Sequence, residues 1–244
     1  MMQIHVFNTP SETIKALADF FIDTANKAIK KNGECSVVLS GGNSPKELYE
    51  LLITPVYKNK TDWTKFWFFF GDERYVPFTD KDNNGRMTKQ ALFDSLNIDT
   101  TKIVYINTGL SPDAAAADYE KKIITHFGDK PVHFDLILLG LGDNAHTASL
   151  FPHTNVLQEK KALMRAVYVD ELNSYRITMT APLINKAHEI AFLVYGAAKA
   201  GAVYHVLKGK KSIEDYPAQL IGAAGEPVHW FLDKAAAEGI TDLF

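Results

Sequence analysis

Runs of consecutive apolar residues, rather than alternating ones, set the strongest limit on how this chain can fold. They stand at residues 36–39, 66–70, 103–106, 136–139 and 190–195. A strand with no polar face must be covered on both sides, as the strands of a parallel sheet between helices are. Most of these runs end in a polar or glycine-rich segment and are followed by a helical pattern, so the expected fold class is α/β. Phe66-Trp67-Phe68-Phe69-Phe70 reads as a central strand rather than a surface for stacking a ligand. Residues 162–169 and 175–180 read as further strand, and the alternation of Ile177 and Met179 suggests one partly exposed face. The first long helix is signalled by a capping box of Thr9 and Glu12, by Pro10 at the first helical position, and by Ile14, Leu17, Ala18, Phe21 and Ala25 at helical spacing up to Asn32-Gly33.

No repeat, low-complexity tract or linker interrupts this pattern, and 46% hydrophobic residues are enough for a sizeable core, so residues 1–244 are read as one domain. A net charge of -3 without any Lys/Arg block argues against a nucleic-acid or membrane-surface protein, because binding to phosphate backbones needs clustered positive charge. Cys35 is the one cysteine, which excludes an internal disulfide and favours a reducing compartment; beside an apolar run it reads as a small buried hydrophobe. The start Met1-Met2-Gln3-Ile4-His5 lacks the features of a signal peptide, and no apolar run approaches the ~18 residues of a membrane span. A cytoplasmic location is expected.

Ligands of open α/β sheets bind beyond the carboxyl ends of the strands, so the segments following the apolar runs are where chemistry is expected. Ser40-Gly41-Gly42-Asn43-Ser44-Pro45-Lys46 follows one strand and opens a helix over 45–52. Its glycines let the backbone approach an anion, and the helix start offers free N–H groups, which makes either a phosphate cradle or a plain glycine turn before a capped helix. It lacks the spacing and the Gly-Lys-Ser/Thr ending of a Walker A loop. Gly71-Asp72-Glu73-Arg74 puts three charges at a strand mouth, where Arg74 suits a phosphate or carboxylate and Asp72 can orient it or accept a proton; a solvated turn is the alternative. His146 lies in the glycine-bearing loop Gly140-Leu141-Gly142-Asp143-Asn144-Ala145-His146, and a histidine there is placed for acid or base work near neutral pH. Gly140, Gly142 and Ala145 fit a dinucleotide fingerprint only weakly, since no acidic ribose binder follows. Lys199 falls in the first turn of a helix, where the dipole disfavours a cation unless an anionic ligand shares the site, and Arg176 is a further candidate anion contact.

Taken in order, these segments resemble the 6-phosphogluconolactonase family, within the superfamily that also holds glucosamine-6-phosphate deaminase/isomerase. The likeness runs through 40–45, 71–77, Asn84-Gly85-Arg86-Met87, 140–152, 176–180, 192–200, and from Pro217-Ala218 to Trp230-Phe231-Leu232-Asp233; His146-Thr147-Ala148-Ser149-Leu150-Phe151-Pro152 is its most specific run. The resemblance implies a Rossmann-like, doubly wound, mainly parallel sheet covered by helices on both faces. It further implies hydrolysis of 6-phospho-D-glucono-1,5-lactone to 6-phosphogluconate in the oxidative pentose phosphate pathway, without cofactor. By the same resemblance His146 matches the catalytic histidine and Arg74 a substrate-contacting arginine, with Gly41, Gly42, Asn43, Ser44, Arg176 and Lys199 at positions that hold the sugar phosphate. The family loop usually reads Asp-Gly-His where this chain has Asn144-Ala145-His146, so either Asn144 orients the histidine without a charge, or Asp143 substitutes, or an easily hydrolysed ester does not require the aspartate.

The expected mechanism is attack of a water deprotonated by His146 on the lactone carbonyl, the oxyanion being met by Arg74 or loop N–H groups. The expected ligand is a small sugar phosphate lactone. No metal is expected, since the chain has no His-Glu-x-x-His pattern and its histidines do not cluster at ligand spacing; the absence of a Gly-x-Ser-x-Gly elbow disfavours a serine acyl-enzyme. The rivals are an amino-sugar phosphate deaminase/isomerase, disfavoured because residues 147–152 contain no acid after the histidine, and a non-catalytic sugar-phosphate sensor, disfavoured by the presence of His146 and Arg74.

Overall fold

A computed structural model describes residues 2–223, 225 and 227–244. Met1 of the amino-terminal segment, and Ala224 and Glu226 within the carboxy-terminal motif, lie outside the described residues. Among the described residues, nine strands, β1 (Met2–Phe7), β2 (Cys35–Leu39), β3 (Phe66–Phe70), β4 (Asp72–Arg74), β5 (Leu136–Leu139), β6 (Met164–Val169), β7 (Ser174–Met179), β8 (Ile190–Val194) and β9 (Val228–Asp233), form two sheets. Six build a central sheet in the order β1-β9-β8-β5-β2-β3, parallel at each pairing. The other three form an antiparallel sheet in the order β4-β7-β6.

The apolar runs become central strands for the reason their composition implies: every residue of β2, β5 and β8 is buried. Helix α1 (Pro10–Asn32) covers the central sheet with an apolar stripe that includes Leu17, Phe21 and Ala25. The Thr9 hydroxyl accepts the Glu12 N–H at 3.2 Å, while the Glu12 carboxylate reaches back to the Asn8 N–H at 2.9 Å; Gly33, at φ 83°, closes the other end. Helix α2 (Asn43–Leu52) starts two residues earlier than its apolar pattern suggests. Across the sheet, the rings of Phe192 on β8 and Trp230 on β9 stack in parallel at 3.9 Å.

Two expectations are corrected, and two strands are added. Residues 103–106 are not a strand: Ile103 makes one isolated parallel bridge to Phe68, and beyond it the contact with β3 passes to side chains, Tyr105 stacking on Phe70. In the second sheet, Ile177, Thr178 and Met179 are all buried, so the alternation does not mark an exposed face at this end. The loop carrying Ser149 lies over it, and the Ser149 N–H donates to the Thr178 hydroxyl. Finally, β1 and β9 are strands that the apolar runs did not announce.

Chain order reverses between β2 and β5, since β2 leads outward to β3 and β5 leads the other way to β8. That is the switch point where loops diverge and leave a crevice. Gly71 joins the two sheets there: its N–H donates to Leu39 O of β2 at 3.0 Å, and its carbonyl accepts the Met179 N–H of β7 at 2.8 Å.

Candidate active site

The loops following β2, β5 and β8, three adjacent strands, meet the start of the second sheet around a cavity of about 570 Å³. That volume falls within the ~300–1,000 Å³ usual for small-molecule sites. Gly41, Gly42, Asn43, Ser44, Asp72, Arg74, Asn144, His146, Arg176 and Lys199 all line it, so residues spread from 41 to 199 in sequence are brought together.

His146 is held by its own loop. Asn144 Oδ1 lies 2.6 Å from His146 Nδ1 and 3.3 Å from the His146 backbone N–H. A backbone N–H can only donate, so the shared partner is the amide oxygen, and Nδ1 must then carry the ring proton. Nε2 keeps its lone pair. Asp143 takes no part in this; it pairs with Lys199 instead. The ring stacks on Phe151 at 4.1 Å and rests directly over Gly142, where a Cβ would fall 2.1 Å from ring atoms. Burial first, then the positive charges of Lys199, Arg176 and Arg74 outweighing Asp143, lowers the imidazole to about 4. The ring is therefore neutral at pH 7. Ala145, Ala148 and His153, in and just after this loop, sit at φ 58°, 47° and 59°, a left-handed conformation that non-glycine residues adopt at a cost and that clusters at functional sites.

The cations come from both layers. Arg74 on β4 is the direct cross-strand partner of Arg176 on β7. Like charges so placed repel, and burial together with Arg74 lowers the Arg176 guanidinium below its ordinary value. Arg74 donates to the Asp82 carbonyl, and Arg176 to the Ser174 hydroxyl and the Tyr175 carbonyl; neither makes an ion pair among the described residues. With carbonyl and hydroxyl oxygens as their hydrogen-bond acceptors, the two guanidiniums suit an anionic ligand. Opposite them, α2 begins at Gly42 with no side-chain cap, leaving its first N–H groups and positive dipole end facing the cavity. Gly41 allows this because the Asn84 side chain packs against its Cα, where a Cβ would lie 1.8 Å from Oδ1.

Asp72 is buried on the cavity floor, where its Oδ2 accepts the Ser149 hydroxyl at 2.6 Å, tying the histidine loop to the second sheet. Burial raises its carboxyl, against the opposing pull of Ser149, Arg74 and Arg176. The sequence reading gave Glu73 no role, yet it organises this corner: Oε1 accepts the N–H groups of Arg74 at 2.8 Å and Asn84 at 2.7 Å, and Oε2 that of Gly85 at 2.9 Å. Burial pushes Glu73 up to about 7 in spite of those donors. Ser149, Phe151 and Asn84 were also passed over as site residues, although all stood within the motifs carrying the resemblance. Among the described residues, no group of three or more His, Cys, Asp or Glu could hold a metal ion, and no helix is long and apolar enough to cross a membrane.

Comparison with known proteins places this geometry in context. A family model described as glucosamine-6-phosphate isomerases/6-phosphogluconolactonase matches residues 8–230. A 6-phosphogluconolactonase of Synechocystis sp. is 40% identical over 218 residues, covering 88% of either chain, and one of Nostoc sp. is 37% identical with 96% of each covered. The structure of 6-phosphogluconolactonase from Trypanosoma cruzi superposes with a TM-score of 0.87 at 26% identity, covering 99% of this chain and 97% of the other.

Proposed function

The chain belongs to the glucosamine-6-phosphate isomerase/6-phosphogluconolactonase family, and from that premise we infer its chemistry: it hydrolyses 6-phospho-D-glucono-1,5-lactone to 6-phosphogluconate, the lactonase step of the oxidative pentose phosphate pathway. The observation that carries the mechanism is a neutral imidazole with its Nδ1 proton engaged by Asn144 and Nε2 free, inside a cavity rich in cations.

The phosphate binds between the start of α2 and Lys199. This anchors the ring and turns binding energy into orientation of the lactone carbonyl toward His146. Nε2 takes a proton from water as the water oxygen attacks the carbonyl carbon. Arg74, with Arg176 behind it, meets the charge that develops on the carbonyl oxygen. As the tetrahedral intermediate collapses, the bond to the ring oxygen breaks, and the imidazolium returns its proton to that oxygen, which becomes the free hydroxyl of the product. The substrate's own negative charge offsets Lys199 and Arg176, so the proton affinity of His146 rises once the site is filled and the base is stronger when it is needed. Asp72 holds the loop through Ser149, and Glu73 holds the backbone at Arg74 and at Asn84-Gly85. The acidic net charge supports a small-anion site rather than a nucleic-acid one, and a single, fully buried cysteine supports a reducing, cytoplasmic setting.

The test is the hydrolysis rate of freshly generated lactone above its spontaneous rate, with wild type and His146→Ala side by side. The expected loss in the variant is about 10²- to 10⁴-fold, the usual worth of general acid–base catalysis. Wild-type activity no greater than background would sink lactone hydrolysis and turn attention to amino-sugar phosphates.

A further inference from the structure

We propose that Asp143 is a built-in competitor for the phosphate-binding cation Lys199, setting how tightly the site holds phosphorylated substrate and product alike. The proposal rests on the reading of Lys199 as a phosphate contact.

Lys199 Nζ lies 2.7 Å from Asp143 Oδ1. Of the cavity cations named above, Lys199 alone is paired with a carboxylate; Arg74 and Arg176 reach only carbonyl and hydroxyl oxygens. The two partners differ in setting: the lysine side chain is 29% exposed within the cavity wall, whereas the aspartate side chain is 75% exposed at the rim. Asp143 also belongs to the loop that carries His146, so its carboxylate sits where an incoming phosphate must arrive. An oxygen anion at hydrogen-bond distance from Lys199 does for the empty site what a phosphate oxygen does for the filled one, and the two cannot share the ammonium at full strength. Substrate and product carry the same phosphate, so the competition weakens both equally. Such a uniform effect raises KM and the product inhibition constant together and speeds product departure, without bearing on the chemical step.

An ion pair this exposed is worth a factor of about 1.5 to 5 in an equilibrium. Asp143→Asn should therefore lower the KM for lactone and the inhibition constants for inorganic phosphate and 6-phosphogluconate by one common factor of that size. The factor should shrink as salt screens the pair. Asp143→Glu, which keeps the charge, should restore the wild-type constants. At neutral pH the imidazole, at about 4, is neutral with or without Asp143, so the inhibition constants compare binding alone, while the weaker base left by Asp143→Asn is read separately in kcat. The lysine variant separates the two ways of failing. If Lys199→Met leaves phosphate inhibition unchanged, the placement of the phosphate is wrong and the proposal falls with it. If Lys199→Met weakens phosphate inhibition but Asp143→Asn leaves the constants where they were, or shifts KM alone, Asp143 is no competitor. In the Lys199→Met background, Asp143→Asn should have no further effect; a persisting gain would also overturn the proposal.

Discussion

Asn144→Asp puts a negative charge at the one side chain that touches the proton-bearing nitrogen of His146. The contact is 2.6 Å, and with both charges delocalised the effective separation is about 4 Å, where two unit charges interact by about 1 kcal/mol in bulk water and about 4 kcal/mol at a surface-like effective dielectric of ~20. Asn144 is exposed, so the true value lies between those limits. At about 1.4 kcal/mol per pKa unit, the imidazole should rise by about 1 to 3 units, from about 4 in the wild type to a value between about 5 and 7. The assay is NMR titration of the His146 ring signal in the free protein, assigned by its disappearance in His146→Ala. Kinetics then follow: a more basic imidazole drives proton abstraction better, so the rate well above its pKa should increase. The phosphate of the substrate itself titrates near 6, but it is common to both proteins and cancels in their comparison. A wild-type midpoint at or above the ordinary histidine value would refute the burial argument, and a variant midpoint unmoved from wild type would refute the contact.

Two further outcomes follow from the loop and its support. Gly142→Ala should push the His146 ring off its seat and cost on the order of 10²-fold in kcat while phosphate inhibition persists, since the added carbon would fall 2.1 Å from ring atoms; an unchanged kcat would mean the ring is not held there. Glu73, raised from its ordinary 4.5 to about 7, binds its proton more tightly folded than unfolded. Its contribution to stability is therefore complete below about 4.5 and is lost as pH rises toward about 7. The urea midpoint of Glu73→Gln should fall less steeply than that of wild type over that window, and parallel curves would dismiss the assignment.

Burial on both faces made β2, β3, β5 and β8 legible, because such strands are built almost wholly of apolar residues, the Ser36 hydroxyl of β2 being taken up by Asp135. The same rule hid β9, and it does not reach β1, an edge strand exposed at Met2 and Gln3. His5 and His229 stand inside them, and what permits this is a chain of partners far apart in sequence: His5 Nε2 lies 3.2 Å from His229 Nδ1, and His229 Nε2 lies 2.9 Å from Glu189. It also misled at 103–106, where the composition suits a strand but the partner, β3, pairs at a single residue. In the site, the glycine loops, His146 and Arg74 could be named because their residue types are unusual at strand ends, Lys199 because a cation is disfavoured at a helix start, and Arg176 as a strand arginine free to meet an anion. Glu73 and Ser149 could not, because they work by holding backbone N–H groups and a buried carboxylate that only meet once the two sheets are in place. Whether Asn144 or Asp143 serves the histidine was likewise undecidable from adjacency; the turn of the loop sends one inward and the other to Lys199.

Gly71 binds the central sheet through its N–H and the antiparallel sheet through its carbonyl, and the His146 loop, which follows β5, belongs to one side of that seam while the paired guanidiniums belong to the other. In the proposed reaction, alignment between the imidazole and the guanidiniums would thus depend on how the two layers are mounted as well as on the residues that meet the ligand. Damage to the mount should leave each half of the machinery intact by every separate measure, with normal titration and normal anion affinity, and surface only as slow turnover. Variants near residues 71 and 179 that lose rate while binding well would then be read as errors of registration between layers rather than as losses of chemistry.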